Sequence, residues 1–258
     1  MAIDIGNTTI SFALYHEKGR IKTWRFDTAE HTVANEYVFW LKEVLSEMDL
    51  TPAHVTGAAV ASVVPNKTAI IITCCRQLFN VEPMRIGASE VEHNLEVILD
   101  NPLEVGADRI ANAVAAMALC QNNTPFLIVD FSTAVVFDVI NEKNQYVGGT
   151  IVPGFEISMD ALAKKAAKLP NVELNQPDNI IGTNTVDALQ SGLFWGYSSL
   201  VEGMIQRIET EFGTKLYKIA TGHLTGFISH TINMFDVINP NLTLDGINAI
   251  YHYNQKNK

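Results

Sequence analysis

The stretch MAIDIGNTTISFALY (residues 1–15) is the most informative part of the sequence for the fold. It predicts a strand that reaches Asp4, a turn of small residues, and a second, alternating strand. The stretch FLIVDFSTAVVFDVI (residues 126–140) repeats the pattern, with an apolar strand ending in Asp130, a small-residue turn and an apolar run. The two aspartates lie 126 positions apart, close to half of the 258 residues. This spacing predicts an internal duplication, with two similar domains that each open on a hairpin.

Helices and strands alternate over the rest of the chain. Apolar residues recur at helical spacing over residues 33–48, 67–79 and 108–120, and a continuous apolar run over residues 55–64 indicates a buried strand. The second half predicts a strand at 145–151, a helix at 157–167, a loop at 169–182, a helix at 185–212, a strand at 217–220 and a last helix after residue 246. The fold class is therefore α/β, and we expect domains at residues 1–121 and 122–258.

Composition restricts the classes of partner. The chain is 47% apolar and 18% charged, and its formal net charge of −10 argues against a nucleic-acid partner. The longest apolar stretch, residues 110–120, contains Asn112 and is too short to cross a membrane. Cys74, Cys75 and Cys120 have neither disulfide nor zinc-ligand spacing, and the start carries no secretory signal. A cytoplasmic protein with no membrane partner is expected.

Each hairpin places a carboxylate beside a turn of small residues. The exposed N–H groups and threonine hydroxyls of such a turn hold phosphate oxygens, and the aspartate holds a cation or a bridging water. Two such hairpins facing each other across a cleft would hold a polyphosphate from both sides. This is a phosphotransfer site without a Walker sequence, since GxxxxGK[ST] is absent. An aspartate that only begins a turn is the simpler interpretation of one hairpin, but two in register favour the site.

A third motif is GADR (residues 106–109), which follows Asn101-Pro102 and opens a predicted helix. Asp108 at a helix N-terminus is an ordinary cap. Arg109 at the same end opposes the helix dipole, which indicates that it serves an anionic ligand such as a carboxylate.

Together these motifs resemble the signature of type III pantothenate kinases. The resemblance rests on DIGNT, NP, GADR, DFSTA, GG with IVPG, LP and GTNT with QSG, which follow one another in the family's order between residues 4 and 192. It implies two ribonuclease-H-like domains of the acetate and sugar kinase, heat-shock ATPase and actin superfamily, in a homodimer. It also implies the ATP-dependent phosphorylation of pantothenate, the first step of coenzyme A biosynthesis.

The resemblance also implies roles for single residues. Asp108 would accept the proton of the substrate hydroxyl, Asp130 would bind a monovalent cation (K⁺ or NH₄⁺), and Asp4 would hold Mg²⁺, in part through water. The residues that would bind ATP are Asp4, Ile5, Gly6, Asn7, Thr8, Thr9, Ile10, Ser11 and Thr133. Those that would bind pantothenate are Gly106, Ala107, Asp108, Arg109 and Thr185, the last across the dimer interface.

Four positions depart from the family pattern. Ser132 stands where glycine is usual and either crowds the phosphate loop or adds a donor; Val135 replaces a threonine. His223 replaces the second glycine of a Thr-Gly-Gly turn, which could crowd the adenosine end of the nucleotide, and Leu99 replaces a tyrosine that contacts pantothenate.

Two alternatives follow from these departures. One is a kinase for another hydroxylated acid or sugar, which only Leu99 favours. The other is a nucleotide-binding regulator that keeps the fold but has lost catalysis. The presence of Asp4, Asp108 and Asp130 favours an active kinase, because a binding protein has no need for a base at position 108.

Overall fold

The structure is a computed structural model that describes residues 1–17, 19–29, 33–120, 123–166, 169–228 and 232–256. Its strands are β1 Ala2–Ile5, β2 Thr9–His16, β3 Gly19–Asp27, β4 Ala59–Ser62, β5 Met84–Arg85, β6 Glu96–Val97, β7 Phe126–Phe131, β8 Ala134–Ile140, β9 Gln145–Pro153, β10 Tyr217–Thr221 and β11 Val237–Ile238. Its α-helices are α1 Ala34–Ser46, α2 Pro65–Phe79, α3 Ala107–Leu119, α4 Phe155–Lys165, α5 Thr185–Phe212, α6 Thr225–Ile228 and α7 Leu242–Lys256.

The chain divides into two compact units. Unit 1 is Met1–Leu119 with Asn241–Lys258, and unit 2 is Cys120–Pro240. The sequence places residues 122–258 together in a second domain, whereas the contacts place α7 in unit 1. The two divisions otherwise agree to within a few residues.

Both units have the same strand order. In unit 1, β1, β2 and β3 are antiparallel neighbours, β4 runs parallel to β1, and the order is β3-β2-β1-β4-β5. In unit 2, β7, β8 and β9 are antiparallel neighbours, β10 runs parallel to β7, and the five strands that belong to this unit follow the order β9-β8-β7-β10-β11. The repeated topology confirms the duplication that the two aspartate hairpins predict.

In each unit an apolar core lies between one face of the sheet and the helices packed on it. In unit 1, Ile3 and Ile5 of β1 and Phe12 of β2 belong to a core that α1 and α2 complete. In unit 2, a second core joins β7 and β8 to Val201 and Ile205 of α5. Fully burying each of these large apolar side chains stabilises the fold by about 1.5–3 kcal/mol.

The position of α7 follows from close packing against α3. Gly246 lies so near α3 that a Cβ there would overlap the carbonyl oxygen of Ala111. Thr243 Oγ1 also donates a 2.8 Å hydrogen bond to the buried Asn112 Oδ1. Sequence order does not encode such a contact, which is why the predicted boundary differs at the C-terminus.

Local predictions hold to different degrees. Helix α5 begins and ends at the predicted residues, and the described residues between α4 and α5 form no helix or strand. Strand β4 covers only Ala59–Ser62 of the predicted 55–64 run, because a 3-10 turn at Pro52–His54 precedes it and Pro65 starts α2 soon after it. Cys74 and Cys75 are buried in α2, and burial raises the pKa of both thiols to about 12.

Candidate active site

The turn after β1 is held closed by backbone hydrogen bonds. Gly6 N donates to Thr9 O at 2.9 Å. Thr28, directly after β3, braces the turn from the side: its Oγ1 donates to Gly6 O at 2.8 Å and its N–H donates to Thr8 O at 2.8 Å. No motif in the sequence singles out Thr28, because the contact spans 22 positions. The bracing fixes the position of the Thr8 and Thr9 hydroxyls, which lie 3.4 Å apart.

The residues predicted to bind ATP in this turn differ in exposure. Asn7 is exposed, and Asp4, Gly6, Thr8 and Thr9 are half-buried. The three others have buried side chains, so any contact with a ligand falls to their backbone atoms; these are Ile5, Ile10 and Ser11.

The GADR motif begins α3. A 3-10 turn at Pro102–Glu104 leads into it, and the helix starts with Ile110 N donating to Gly106 O at 3.1 Å. The Asp108 side chain folds back, and its Oδ1 accepts from Arg109 N at 2.9 Å. A Cβ at position 106 would overlap that oxygen, so glycine leaves the space that the carboxylate occupies.

The turn and the motif lie at the same edge of the unit 1 sheet. Val63, just after β4, donates its N–H to Ile5 O at 3.1 Å. A Cβ on Gly106 would lie 3.7 Å from Val63 Cγ1. Because β1 and β4 are parallel, their carboxyl ends meet here, and the β1–β2 turn and the GADR motif lie at this edge.

A cavity of about 390 Å³ adjoins this edge. Its lining includes Ser62, Thr68, Arg85 and Gly87. A Cβ on Gly87 would lie 3.7 Å from Ala107 Cβ, which places the cavity next to the GADR motif.

In unit 2 the second turn follows β7 in the same way but is one residue shorter, because Phe131 pairs with Val135 whereas Ile5 pairs with Ile10. Ser132 N donates to Ala134 O at 3.1 Å, and Gly154 N donates to Thr133 O at 3.1 Å. Ser132 Oγ donates to Ala134 O at 3.3 Å, so the hydroxyl that departs from the family pattern bonds within its own turn. Val135 is buried in the unit 2 core.

Asp130 lies against the turn that follows β10. It pairs in register with Thr221, and Gly222 comes next with a φ of +96°. A Cβ on Gly222 would overlap both Phe131 O and Asp130 Oδ1. His223 Nε2 lies 3.8 Å from Glu156 Oε2 of α4. The sequence analysis places this turn near the adenosine end of the nucleotide. In the structure, Gly222 of the turn packs against Asp130, the predicted cation ligand.

Thr185 is the exposed first residue of α5. Asn184 caps the helix, since its side chain accepts from Asp187 N at 2.9 Å. Exposed aliphatic side chains surround Thr185 in the sequence, with Ile181 80% exposed. The helix start is therefore fixed by its cap, and exposed aliphatic side chains lie among its polar residues.

Comparison with known proteins gives the family. The profile described as type III pantothenate kinase matches residues 1–207. A type III pantothenate kinase from Paramagnetospirillum magneticum is 40% identical over 254 residues, which are 98% of this chain and 97% of the relative. One from Roseiflexus castenholzii is 40% identical over 256 residues, which are 99% of each chain.

This chain belongs to the type III pantothenate kinase family. It is a kinase that uses ATP to phosphorylate pantothenate in coenzyme A biosynthesis. Because full-length relatives carry the kinase name, the two alternatives weighed above, a non-catalytic regulator and a kinase for another acid or sugar, give way to this activity.

Solved structures support the fold alone. A Campylobacter jejuni protein described as a Baf family transcriptional activator has a TM-score of 0.58 at 16% identity, covering 99% of this chain and 98% of that one. The activator of the 2-hydroxyisocaproyl-CoA dehydratase from Clostridium difficile, solved with bound ADPNP, has a TM-score of 0.54 at 10% identity, covering 99% and 96%. Both are consistent with two ribonuclease-H-like domains. Within the described residues, no helix is long and apolar enough to span a membrane.

Proposed function

We propose that the β1–β2 turn binds the phosphates of ATP while Asp108 accepts the proton of the pantothenate hydroxyl. The observation that carries this assignment is the shared edge of the unit 1 sheet, where Val63 contacts both Ile5 and Gly106. A phosphate donor and an acceptor hydroxyl must meet for transfer, and this edge supplies groups for both.

Phosphoryl transfer asks for positioning and charge stabilisation more than for covalent chemistry. Asp108 lies in the first turn of α3, where the helix dipole favours a negative charge. Its Oδ1 is held by Arg109 N, which fixes the direction of the carboxylate. A carboxylate held in this direction can take the hydroxyl proton as the oxygen attacks the terminal phosphorus.

Asp4 would hold Mg²⁺ together with the nucleotide phosphates. Mg²⁺ keeps several waters and needs only one or two protein carboxylates beside phosphate oxygens. A single half-buried carboxylate next to a phosphate turn fits that requirement. The ion would neutralise charge on the phosphates.

Asp130 would bind a monovalent cation, K⁺ or NH₄⁺, and Thr133 would contact ATP. The buried Oδ1 of the Asp130 carboxylate, against which Gly222 packs, supports an oxygen ligand for such an ion. The cation would supply positive charge next to the phosphates.

For pantothenate, we assign contacts to Gly106, Ala107, Arg109 and, from a second copy of the chain, Thr185. Exposed aliphatic side chains of unit 2 include Ile180, Ile181 and Val186, which flank that helix start in the sequence, and Ile151, Ile157 and Leu162 on β9 and α4. Exposed apolar surface of this extent supports a homodimer through unit 2. The cytoplasmic location stays a prediction.

Asp108→Asn tests the catalytic assignment. We expect kcat to fall about 10²- to 10⁴-fold, the usual contribution of a general base, because asparagine cannot accept the proton. Affinity for ATP, measured by calorimetry, should stay within about threefold, since Asp108 is assigned to the acceptor rather than to the nucleotide.

Glu43→Gln is the matched control, because it removes an exposed carboxylate on α1, away from the site. It should leave both quantities unchanged. Turnover of Asp108→Asn at the wild-type rate would remove Asp108 from the role of base.

A further inference from the structure

We propose that Thr221 Oγ1 is a second protein ligand of the monovalent cation at Asp130. The inference rests on the proposed cation role of Asp130 and extends it to a hydroxyl on the neighbouring strand. It concerns unit 2 alone.

Thr221 is a buried polar residue at the end of β10. Its exposed fraction is 0%, and Oγ1 has no hydrogen-bond partner among the described residues. A buried hydroxyl without a partner is costly and calls for an explanation, such as a bound ion.

The register of the sheet places this hydroxyl beside Asp130. Thr221 and Asp130 are directly paired on the parallel strands β10 and β7. Side chains of paired residues project from the same face of a sheet. Leu127, Val129 and Phe131 of β7 project into the apolar core, so Asp130 and Thr221 project from the opposite face.

Glycine lets the turn after β10 pack directly against this carboxylate. A Cβ on Gly222 would overlap Asp130 Oδ1, and the positive φ of this residue suits glycine. A carboxylate oxygen and a neighbouring hydroxyl are oxygen donors of the kind that a weakly hydrated cation takes.

The test is cation-dependent thermal unfolding of the full chain with Mg²⁺ and a non-hydrolysable ATP analogue. KCl is titrated at constant ionic strength, with choline chloride as the replacement salt. We expect K⁺ to raise the unfolding midpoint of the wild type and Asp130→Asn to remove this response.

Thr221→Val keeps the shape and removes the hydroxyl, so the K⁺ concentration for half of the response should rise about tenfold or more. Thr221→Ser retains the hydroxyl and should stay within about threefold. If Thr221→Val does not fold, Thr221→Cys replaces the oxygen by a soft sulfur and should show the same loss.

Thr150→Val is the matched control. Thr150 Oγ1 is also buried without a partner among the described residues, but it pairs with Phe137 on β8, away from Asp130. The K⁺ response of this variant should equal that of the wild type.

The outcomes distinguish a role of Thr221 in cation binding from the role of Asp130. If Asp130→Asn abolishes the response and Thr221→Val leaves it unchanged, Thr221 is not a ligand, while the role of Asp130 stands. If the wild type shows no response, or Asp130→Asn keeps it, the proposed cation role is wrong and the inference falls with it.

Discussion

Gly222 combines two constraints that only a residue without a side chain satisfies. Its φ of +96° is unfavourable for other residues, and a Cβ there would meet Phe131 O and Asp130 Oδ1. We expect Gly222→Ala to lower the free energy of unfolding by about 2–4 kcal/mol, from backbone strain plus the displacement of β7 atoms. Chemical denaturation measures this change, and a K⁺ titration should show weakened cation activation.

Gly213→Ala is the control that separates the two constraints. Gly213 has a φ of +86° at the end of α5, but no atom lies within 4 Å of its Cβ position. Its loss should be limited to backbone strain, about 1 kcal/mol. Equal losses in the two variants would show that crowding near Asp130 contributes nothing.

The nearly buried carboxylate of Glu209, near the C-terminal end of helix α5, links this helix to β10 by hydrogen bonds. Glu209, 6% exposed, accepts from Lys215 Nζ at 2.6 Å, from Leu216 N at 3.1 Å and from Lys218 Nζ at 3.3 Å. Burial alone would raise the pKa of Glu209, but these hydrogen bonds outweigh it and hold the pKa below its usual 4.5. The charged form is therefore the one that the fold prefers.

Glu209→Gln should destabilise the protein by about 1–3 kcal/mol at pH 7, because hydrogen bonds to a charged group are lost. A carboxylate whose pKa is lower in the folded than in the unfolded state stabilises the fold at pH values above its unfolded-state pKa. This contribution disappears as pH falls through the folded-state pKa. The difference between wild type and variant in free energy of unfolding should thus be constant from pH 6 to 8 and shrink below about pH 4.5.

Lys215→Met is the control for this network. The Lys215 side chain is 83% exposed, so its ion pair should contribute less than about 1 kcal/mol. A difference for Glu209→Gln that does not change with pH would show that the carboxylate acts through its shape rather than its charge.

Assembly of the chain can be tested through the exposed apolar surface of unit 2. The double variant Ile180→Asp with Ile181→Asp places two charges on the most exposed part of that surface. We expect it to shift the protein from dimer to monomer in sedimentation velocity, because burying unpaired charges is unfavourable. The KM for pantothenate should rise at the same time, since Thr185 would be withdrawn from its partner's site.

Phe39→Asp is the matched control, because Phe39 is 65% exposed on α1 of unit 1, outside the proposed surface. It should leave the assembly state and the KM unchanged. A monomeric wild type, or a double variant that stays dimeric, would contradict the proposed interface.

The architecture and the family could both be inferred from the sequence alone. Period-two and period-3.6 patterns are local, so the hairpins at Asp4 and Asp130, the duplication and helix α5 could be read directly from the sequence. The ordered motifs are local too, and they carried the resemblance that the full-length relatives confirm.

The contacts between residues that are distant in the sequence could be identified only from the folded structure. Thr28 braces the first turn from 22 positions away, Gly246 brings α7 onto α3, and Thr221 lies beside Asp130 across two strands. No local pattern marks these residues, because each owes its place to the pairing of distant segments. The partners of a buried group depend on non-local packing rather than on local propensity. The residues that hold the site in place could therefore be identified only from the fold.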